Sequence, residues 1–197
     1  MLSIIGDIHG DYDWYKSKIT SMQIENSVQV GDFGFDYSVF DEIGSGHVFL
    51  GGNHDNYDKY YDCQNSLGDY GVRSVCGVEF YFIRGAESVD KNNRIVGVDL
   101  WENEELPYLT CLNAISDYRQ VRPKVVISHD CPANIACHLH ESRDCRASRT
   151  SEMLQQMFNA HKPSVWYFGH HHVDKTITVG PTRFVCVAEK SIVLHEG

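Results

Sequence analysis

The sequence lacks any apolar run near the roughly 18 residues a membrane-spanning helix needs. It opens Met1-Leu2-Ser3-Ile4-Ile5, without the basic, apolar and small-residue succession of a secretory leader. Secretion and membrane spanning are therefore not expected. Its cysteines (Cys63, Cys76, Cys111, Cys131, Cys137, Cys145 and Cys186) are odd in number and share no repeated spacing. That excludes a disulfide framework and favours reduced thiols in a cytoplasmic protein. Positive charge is also scarce: 17 Lys and Arg face 27 Asp and Glu, for a formal net charge of -10. A surface of that sign repels duplex nucleic acid and anionic membranes. No repeat, low-complexity tract or linker divides the 197 residues. With 42% hydrophobic and 22% charged residues, one well-buried domain over 1–197 is expected.

What is present is a set of five short motifs. In order they are Gly6-Asp7-Ile8-His9-Gly10, Gly31-Asp32, Gly52-Asn53-His54-Asp55, Ser128-His129 and Gly169-His170-His171-His172. Each sets a carboxylate, amide or imidazole at the expected end of a strand, and four of the five carry Gly beside the polar group. Carboxylate oxygens mixed with imidazole nitrogens suit Mn, Fe, Zn or Ni. Seven or more such groups are too many for one ion, whereas two adjacent ions sharing a carboxylate use them all. The residues point to dinuclear-metal hydrolysis.

Apolar runs at 2–5, 27–30, 47–50, 124–127 and 164–168 read as strands that deliver the motifs, with a helix from 12 to about 22 after the first. Residues 72–76 and 78–83 read as a hairpin about Gly77, with 94–98 as a third strand. A helix is expected within 102–118, with Leu106, Leu109, Leu112, Ile115 and Tyr118 on one side and Pro107 in its first turn. Ser148, Thr150 and Ser151 offer caps for another through Phe158. Residues 131–147 read as loop, and 175–179, 182–187 and 191–195 as an antiparallel meander. The fold class is α/β, two mixed β-sheets with flanking helices, and ligands at strand ends are where open α/β sheets place their sites.

In order and wording the motifs resemble the calcineurin-like metallophosphoesterases, whose pattern is Asp-x-His, Gly-Asp, Gly-Asn-His-Asp or -Glu, a lone His, and Gly-His-x-His. The match runs from residue 6 to residue 172. Asp-x-His alone is common by chance; the ordered set of five is specific. The resemblance implies two sheets packed as a sandwich around two divalent ions, Mn2+ first, with Fe, Zn or Ni as alternatives. Asp7, His9 and His172 would hold one ion, Asn53, His129 and His170 the other, and Asp32 would bridge them. Only a carboxylate readily serves two cations while easing their repulsion. The implied reaction is in-line attack on phosphorus by a hydroxide bridging the metals. His54 would protonate the leaving oxygen, with Asp55 orienting the imidazole and keeping its pKa high enough.

The sequence departs from the Ser/Thr protein phosphatases of that family. There, Gly-Asp runs on to Asp-Arg-Gly, and another Arg precedes Gly-Asn-His. Here the text is Gly31-Asp32-Phe33-Gly34-Phe35-Asp36, and Gly51 and Gly52 precede Asn53. A phosphomonoester dianion lacks two cationic partners, which favours phosphodiester or nucleotide-like substrates. A phosphomonoesterase, including a Ser/Thr protein phosphatase, and a non-catalytic metal-binding scaffold are the alternatives. Arg84 could supply a replacement cation if the hairpin folds over the cleft, and is otherwise an ordinary salt-bridged Arg. His171, at the variable position of its motif, is a candidate substrate contact.

Phe33, Phe35, Tyr37, Tyr57 and Trp101 fall in expected loops and could stack on a base. With the acidic balance, that suggests nucleotide or short single-stranded nucleic acid rather than duplex as partner. No membrane and no obligate protein partner is indicated. Asp11 and Asp36 either hydrogen-bond a ligand His or solvate loops. Cys131, Cys137, His138, His140 and Cys145 match no standard zinc spacing, so a flap over the cleft is the reading for their segment. His47, His161 and His195 match no motif and read as structural.

Overall fold

Three short, wholly buried runs, β1 (Ser3–Ile5), β2 (Ser27–Gln29) and β3 (His47–Phe49), pair in parallel. Their side chains alternate between two apolar faces. Ile4, Val28 and Val48 point to one side, while Ile5 and Phe49 point to the other with Tyr15 and Ile19 of α1 (Tyr12–Ser21). The structure is a computed structural model and describes residues 1–140 and 146–195. Cys145 lies outside the described residues.

The second sheet holds six strands: β4 (Tyr70–Val75), β5 (Val78–Ile83), β6 (Val125–Ser128), β7 (Val165–Phe168), β8 (Lys175–Val179) and β9 (Thr182–Cys186). They run in the order β4-β5-β6-β7-β9-β8, parallel through the middle and antiparallel at both edges. Phe80, Phe82, Ile127 and Val185 meet Ile4, Val28 and Val48 in the shared core, so the two mixed sheets form the expected sandwich. The outer face of the second sheet, with Tyr81, Trp166 and Phe184, is covered by α4 (Tyr108–Val121), α5 (Ala133–His140) and α6 (Arg149–Ala160). Two shorter helices, α2 (Val39–Ile43) and α3 (Tyr57–Tyr60), cover the first sheet beside α1.

Several expectations are corrected. The last strand, β10 (Ile192–Leu194), does not extend a meander. After β9 a turn closed by Ser191 N–H donating to the Ala188 carbonyl carries the chain to the first sheet, where β10 runs antiparallel to β1. Residues 94–98 form no strand: Asp99 accepts the Ile95 N–H at 2.6 Å and folds them into a turn. Within the segment read as loop, Ile135 and Leu139 share one buried face of α5. In α4 the buried face is Cys111, Ala114, Ile115 and Tyr118, with Leu109 and Leu112 exposed, and Pro107 stands before the helix as its cap. A helix turns 100° per residue, so a strict three-residue spacing drifts off its face.

The six described cysteines are free thiols, and among the described residues no helix is long and apolar enough to cross a membrane.

Candidate metal centre

The parallel strands β1, β2, β3, β6 and β7 each end in one motif, so their carboxyl ends bring the seven expected ligands to one place. Asp7, His9, Asp32 and His172 offer ligand atoms all within 4.8 Å of one another. Asp32, His129 and His170 form a second such group, and the Asn53 Oδ1 lies 3.1 Å from His129 Nε2. Asp32 belongs to both. Its Oδ1 is 3.3 Å from His129 Nε2, and its Oδ2 is 3.9 Å from His9 Nδ1. On the first side, His9 Nε2 and His172 Nε2 are 3.0 Å apart, and His172 Nε2 is 3.3 Å from Asp7 Oδ2.

The backbone here is strained in a shared way. His9, Asp32, His170 and His172 all have φ between 47° and 64°, a region non-glycine residues enter at a cost and chiefly where function requires it. Each strand thus turns sharply at its end and aims a side chain back across the edge. Two neighbouring glycines leave room: a Cβ on Gly169 would overlap Asp7 Oδ1, and one on Gly52 would lie 2.6 Å from His129 Nε2.

A surrounding set of hydrogen bonds fixes these groups. His129 donates from Nδ1 to the Val30 carbonyl at 2.8 Å, which leaves Nε2 facing Asp32 and Asn53. The Asn53 amide donates to Ser88 Oγ at 3.1 Å, and Ser88 donates to Glu104 at 2.7 Å. The amide can therefore turn only its oxygen toward His129. Asp7 Oδ2 accepts the His170 N–H at 2.9 Å, while its Oδ1, fully buried, has no hydrogen-bond partner among the described residues. A buried, unpaired carboxylate oxygen is costly unless something cationic meets it. The donor set, the orphaned oxygen and the cleared space all fit a pair of divalent ions.

Breaking this support has a measurable outcome. Ser88→Ala frees the Asn53 amide to rotate, and is expected to weaken metal binding by about 10–100-fold, the usual effect of removing a group that orients a ligand. Calorimetric titration with Mn2+ checks this; unchanged affinity would show that the amide needs no orientation.

Burial opposes the Asp32 carboxylate, yet the adjacent His129, then His54 and His9, hold it well below its ordinary value. Burial likewise opposes a charged His129, and Asp32 overrides it and raises the imidazole. Burial pushes His170 down to about 4, leaving it neutral. The Asp7 hydrogen bond raises His172.

Other expected residues stand elsewhere. Arg84 does not reach the cleft: it is 1% exposed, and its guanidinium donates to Asp69, the Asn103 carbonyl and Tyr61, each at 2.7 Å, while packing on Tyr57. Asp55 does not orient His54. Its oxygens accept the N–H groups of Asp32, Gly34 and Gly52 at 2.7–2.9 Å, so it clasps the second and third motifs together. Burial and the nearby Asp32 push Asp55 up to about 7. His54 is lowered by burial, with Asp32 opposing and Arg94 reinforcing. Asp11 caps Trp14 and pairs with Lys190, and Asp36 accepts the Ser38 N–H. Phe33, Tyr37, Tyr57 and Trp101 are buried in the core under the first sheet, leaving Phe35 as the exposed ring of that set. His171 turns toward Asp130 and Cys131 rather than into the cleft.

Arg94 was not foreseen as a site residue. Its terminal nitrogens lie 2.9 and 2.6 Å from the two ring nitrogens of His54, and its Nε is 2.7 Å from Asp90. Together with Asp32, His54 and His172 it lines a cleft of about 300 Å3. The Asp90-x-x-x-Arg94 spacing, a helical ion-pair distance, was the only trace of it in the sequence.

The pattern that defines calcineurin-like phosphoesterases matches residues 2–174. Among solved structures, a protein described as a candidate 5′-nucleotidase from Staphylococcus aureus aligns with a TM-score of 0.56 at 13% identity, over 97% of this chain and 49% of that one. Phosphopantetheinyl hydrolase from Mycobacterium tuberculosis aligns with a TM-score of 0.49 at 12% identity, over 96% and 89%. A predicted phosphoesterase from Streptococcus pneumoniae gives 0.45 at 12%, over 96% and 72%. Likeness at these identities is likeness of fold. No curated protein matches the chain in sequence.

Proposed function

The chain belongs to the calcineurin-like phosphoesterase family, matching it over residues 2–174, and from that premise we propose a metal-dependent phosphohydrolase acting on phosphodiester or nucleotide-like substrates. The observation that carries this reading is the double membership of Asp32, whose two oxygens face two separate groups of ligand atoms. Asp7, His9 and His172 would hold one ion, Asn53, His129 and His170 the other, with Asp32 between them. Bound there, a metal pair supplies Lewis acidity that activates water and neutralises phosphoryl charge. Mixed oxygen and imidazole donors suit Mn, Fe, Zn or Ni, and the family resemblance puts Mn2+ first among them. Free thiols on all six described cysteines fit a reducing, cytoplasmic setting.

His54 lines the cleft without belonging to either ligand group, and we assign it the proton donated to the leaving oxygen. Burial, reinforced by Arg94, opposes a charged His54. An anionic substrate beside Arg94 screens the guanidinium charge and raises the proton affinity of the imidazole, the direction a general acid needs. Arg94 is the cation lining the cleft, and its charge is already met by Asp90 at 2.7 Å. Such a cleft suits a singly charged diester better than a doubly charged monoester.

The test is a pair of assays on Mn2+-loaded protein, with bis-p-nitrophenyl phosphate and p-nitrophenyl phosphate. Preference for the diester is expected; preference for the monoester selects the phosphomonoesterase reading, and no hydrolysis of either selects the scaffold. Arg94→Gln should lower kcat/KM on the diester about 10–100-fold, the loss of one charge-assisted hydrogen bond. An unchanged kcat/KM would remove Arg94 from the site.

A further inference from the structure

The structure assigns a third metal site, distinct from the candidate pair, to Asp130, Cys131 and His171, and its ligand chemistry selects zinc. His171 Nε2 lies 3.3 Å from Cys131 Sγ and 3.2 Å from Asp130 Oδ1, and all three ligand atoms fall within 4.8 Å of one another. Ligands at ordinary zinc distances on a tetrahedron stand about 3.4–3.6 Å apart, so little movement closes these three on one ion. Cys131 is wholly buried and Asp130 is 4% exposed. Thiolate and imidazole with one carboxylate favour zinc over manganese or magnesium.

Each neutral tautomer of His171 satisfies the cluster incompletely. His171 Nδ1 is 3.1 Å from His140 Nε2. When Nδ1 carries the proton and donates to His140, Nε2 is a lone pair facing the Asp130 oxygen, which already accepts the Cys131 N–H. When Nε2 carries it and donates to Asp130, the Cys131 thiol has no lone pair on that nitrogen to meet. Either neutral tautomer leaves one contact unpaired. A zinc ion meets all three donors, and in the first tautomer His140 holds His171 in the ligating form, as partners of metal-bound imidazoles do. The bond to zinc forms as the Cys131 thiol loses its proton to solvent, with no change of oxidation state. Asp130 and His171 both line a cavity of about 480 Å3, which has room for a water as fourth ligand.

The position gives the ion a role. Asp130 and Cys131 directly follow His129, and His171 lies between His170 and His172. Zinc there would tie together the two loops that carry His129, His170 and His172, three of the ligands described above.

The test is titration of the full chain with Co2+. Thiolate bound to Co2+ gives an intense near-ultraviolet charge-transfer band, which oxygen and imidazole ligands do not, so the paired site is silent. The expected result is that band in the wild-type chain, its loss in Cys131→Ser, and one equivalent of zinc fewer in the variant by elemental analysis. Absence of the band, or its persistence in Cys131→Ser, overturns the proposal and leaves His171 hydrogen-bonded to Asp130. Should Cys131→Ser fail to fold, alkylation of the wild-type chain in mild denaturant replaces it. Zinc is then expected to shield Cys131 from labelling, and equal labelling with and without zinc overturns the site. Phosphoester hydrolysis is read separately, so either assignment can fail alone.

Discussion

Asp32→Asn is expected to empty both metal positions of the pair and to lower kcat/KM on the order of 10^3-fold or more, the several kcal/mol that metal assistance supplies. The substitution keeps the shape and the acceptor for the His54 N–H, which Asp32 Oδ1 takes at 2.7 Å. It removes the second anionic oxygen. Of the two directions Asp32 faces, toward His129 and toward His9, one would receive an amide NH2 that repels a cation. Elemental analysis after gel filtration reads the metal, and the diester assay reads the activity. His54→Gln provides the contrast: metal retained, and kcat lowered about 10^2–10^4-fold, as for loss of a general acid. A doubly metallated Asp32→Asn would end the bridging assignment.

The same variant tests how protons compete with metal. In the metal-free protein Asp32 raises His129 against the opposing effect of burial, and an ion must displace that proton before Nε2 can ligate. Metal affinity therefore falls as pH falls. Removing the Asp32 carboxylate lets burial lower His129, so whatever affinity survives should depend less on pH.

Most of the ligand set was legible because it is local. Asp7, Asp32, Asn53, His129 and His170 each stand within four residues of the end of a buried β-strand, and a strand end fixes position with little need of tertiary context. Motif order then places them on one edge, because β1 to β3 and β6 to β7 are parallel. What the sequence concealed is contact between distant segments. Asp55 looked like a partner for His54 because it is adjacent, yet adjacent residues in a turn rarely face each other. Its oxygens instead serve three backbone N–H groups, two of them 21 and 23 residues away. Ser88 and Arg94 stand 35 and 40 residues from Asn53 and His54, the groups they orient or oppose, and Glu104 stands 16 residues from the Ser88 it holds, and no periodicity encodes such pairings.

The hidden part also includes steric requirement, which Gly52 makes testable. Gly52→Ala should abolish metal-induced stabilisation. The added methyl would overlap Asp32 Oδ1 and lie 2.6 Å from His129 Nε2. Retreat is blocked, since the Asp32 N–H, also 2.5 Å from that Cβ, is fastened to Asp55 at 2.9 Å. The wild-type chain in Mn2+ at about 100 times its Kd should gain about 2.7 kcal/mol, a Tm rise on the order of 5–10 °C. Gly52→Ala is expected to show almost none of it, besides an intrinsic loss of about 1–3 kcal/mol from overpacking. Gly180→Ala separates the causes. Gly180 has φ +59° and open space about its Cβ position, so alanine there costs about 1–2 kcal/mol of backbone strain while the Mn2+ shift stays whole. A full Mn2+ shift in Gly52→Ala would mean that the cage around Asp32 has slack, and that its glycine serves the turn rather than the metal.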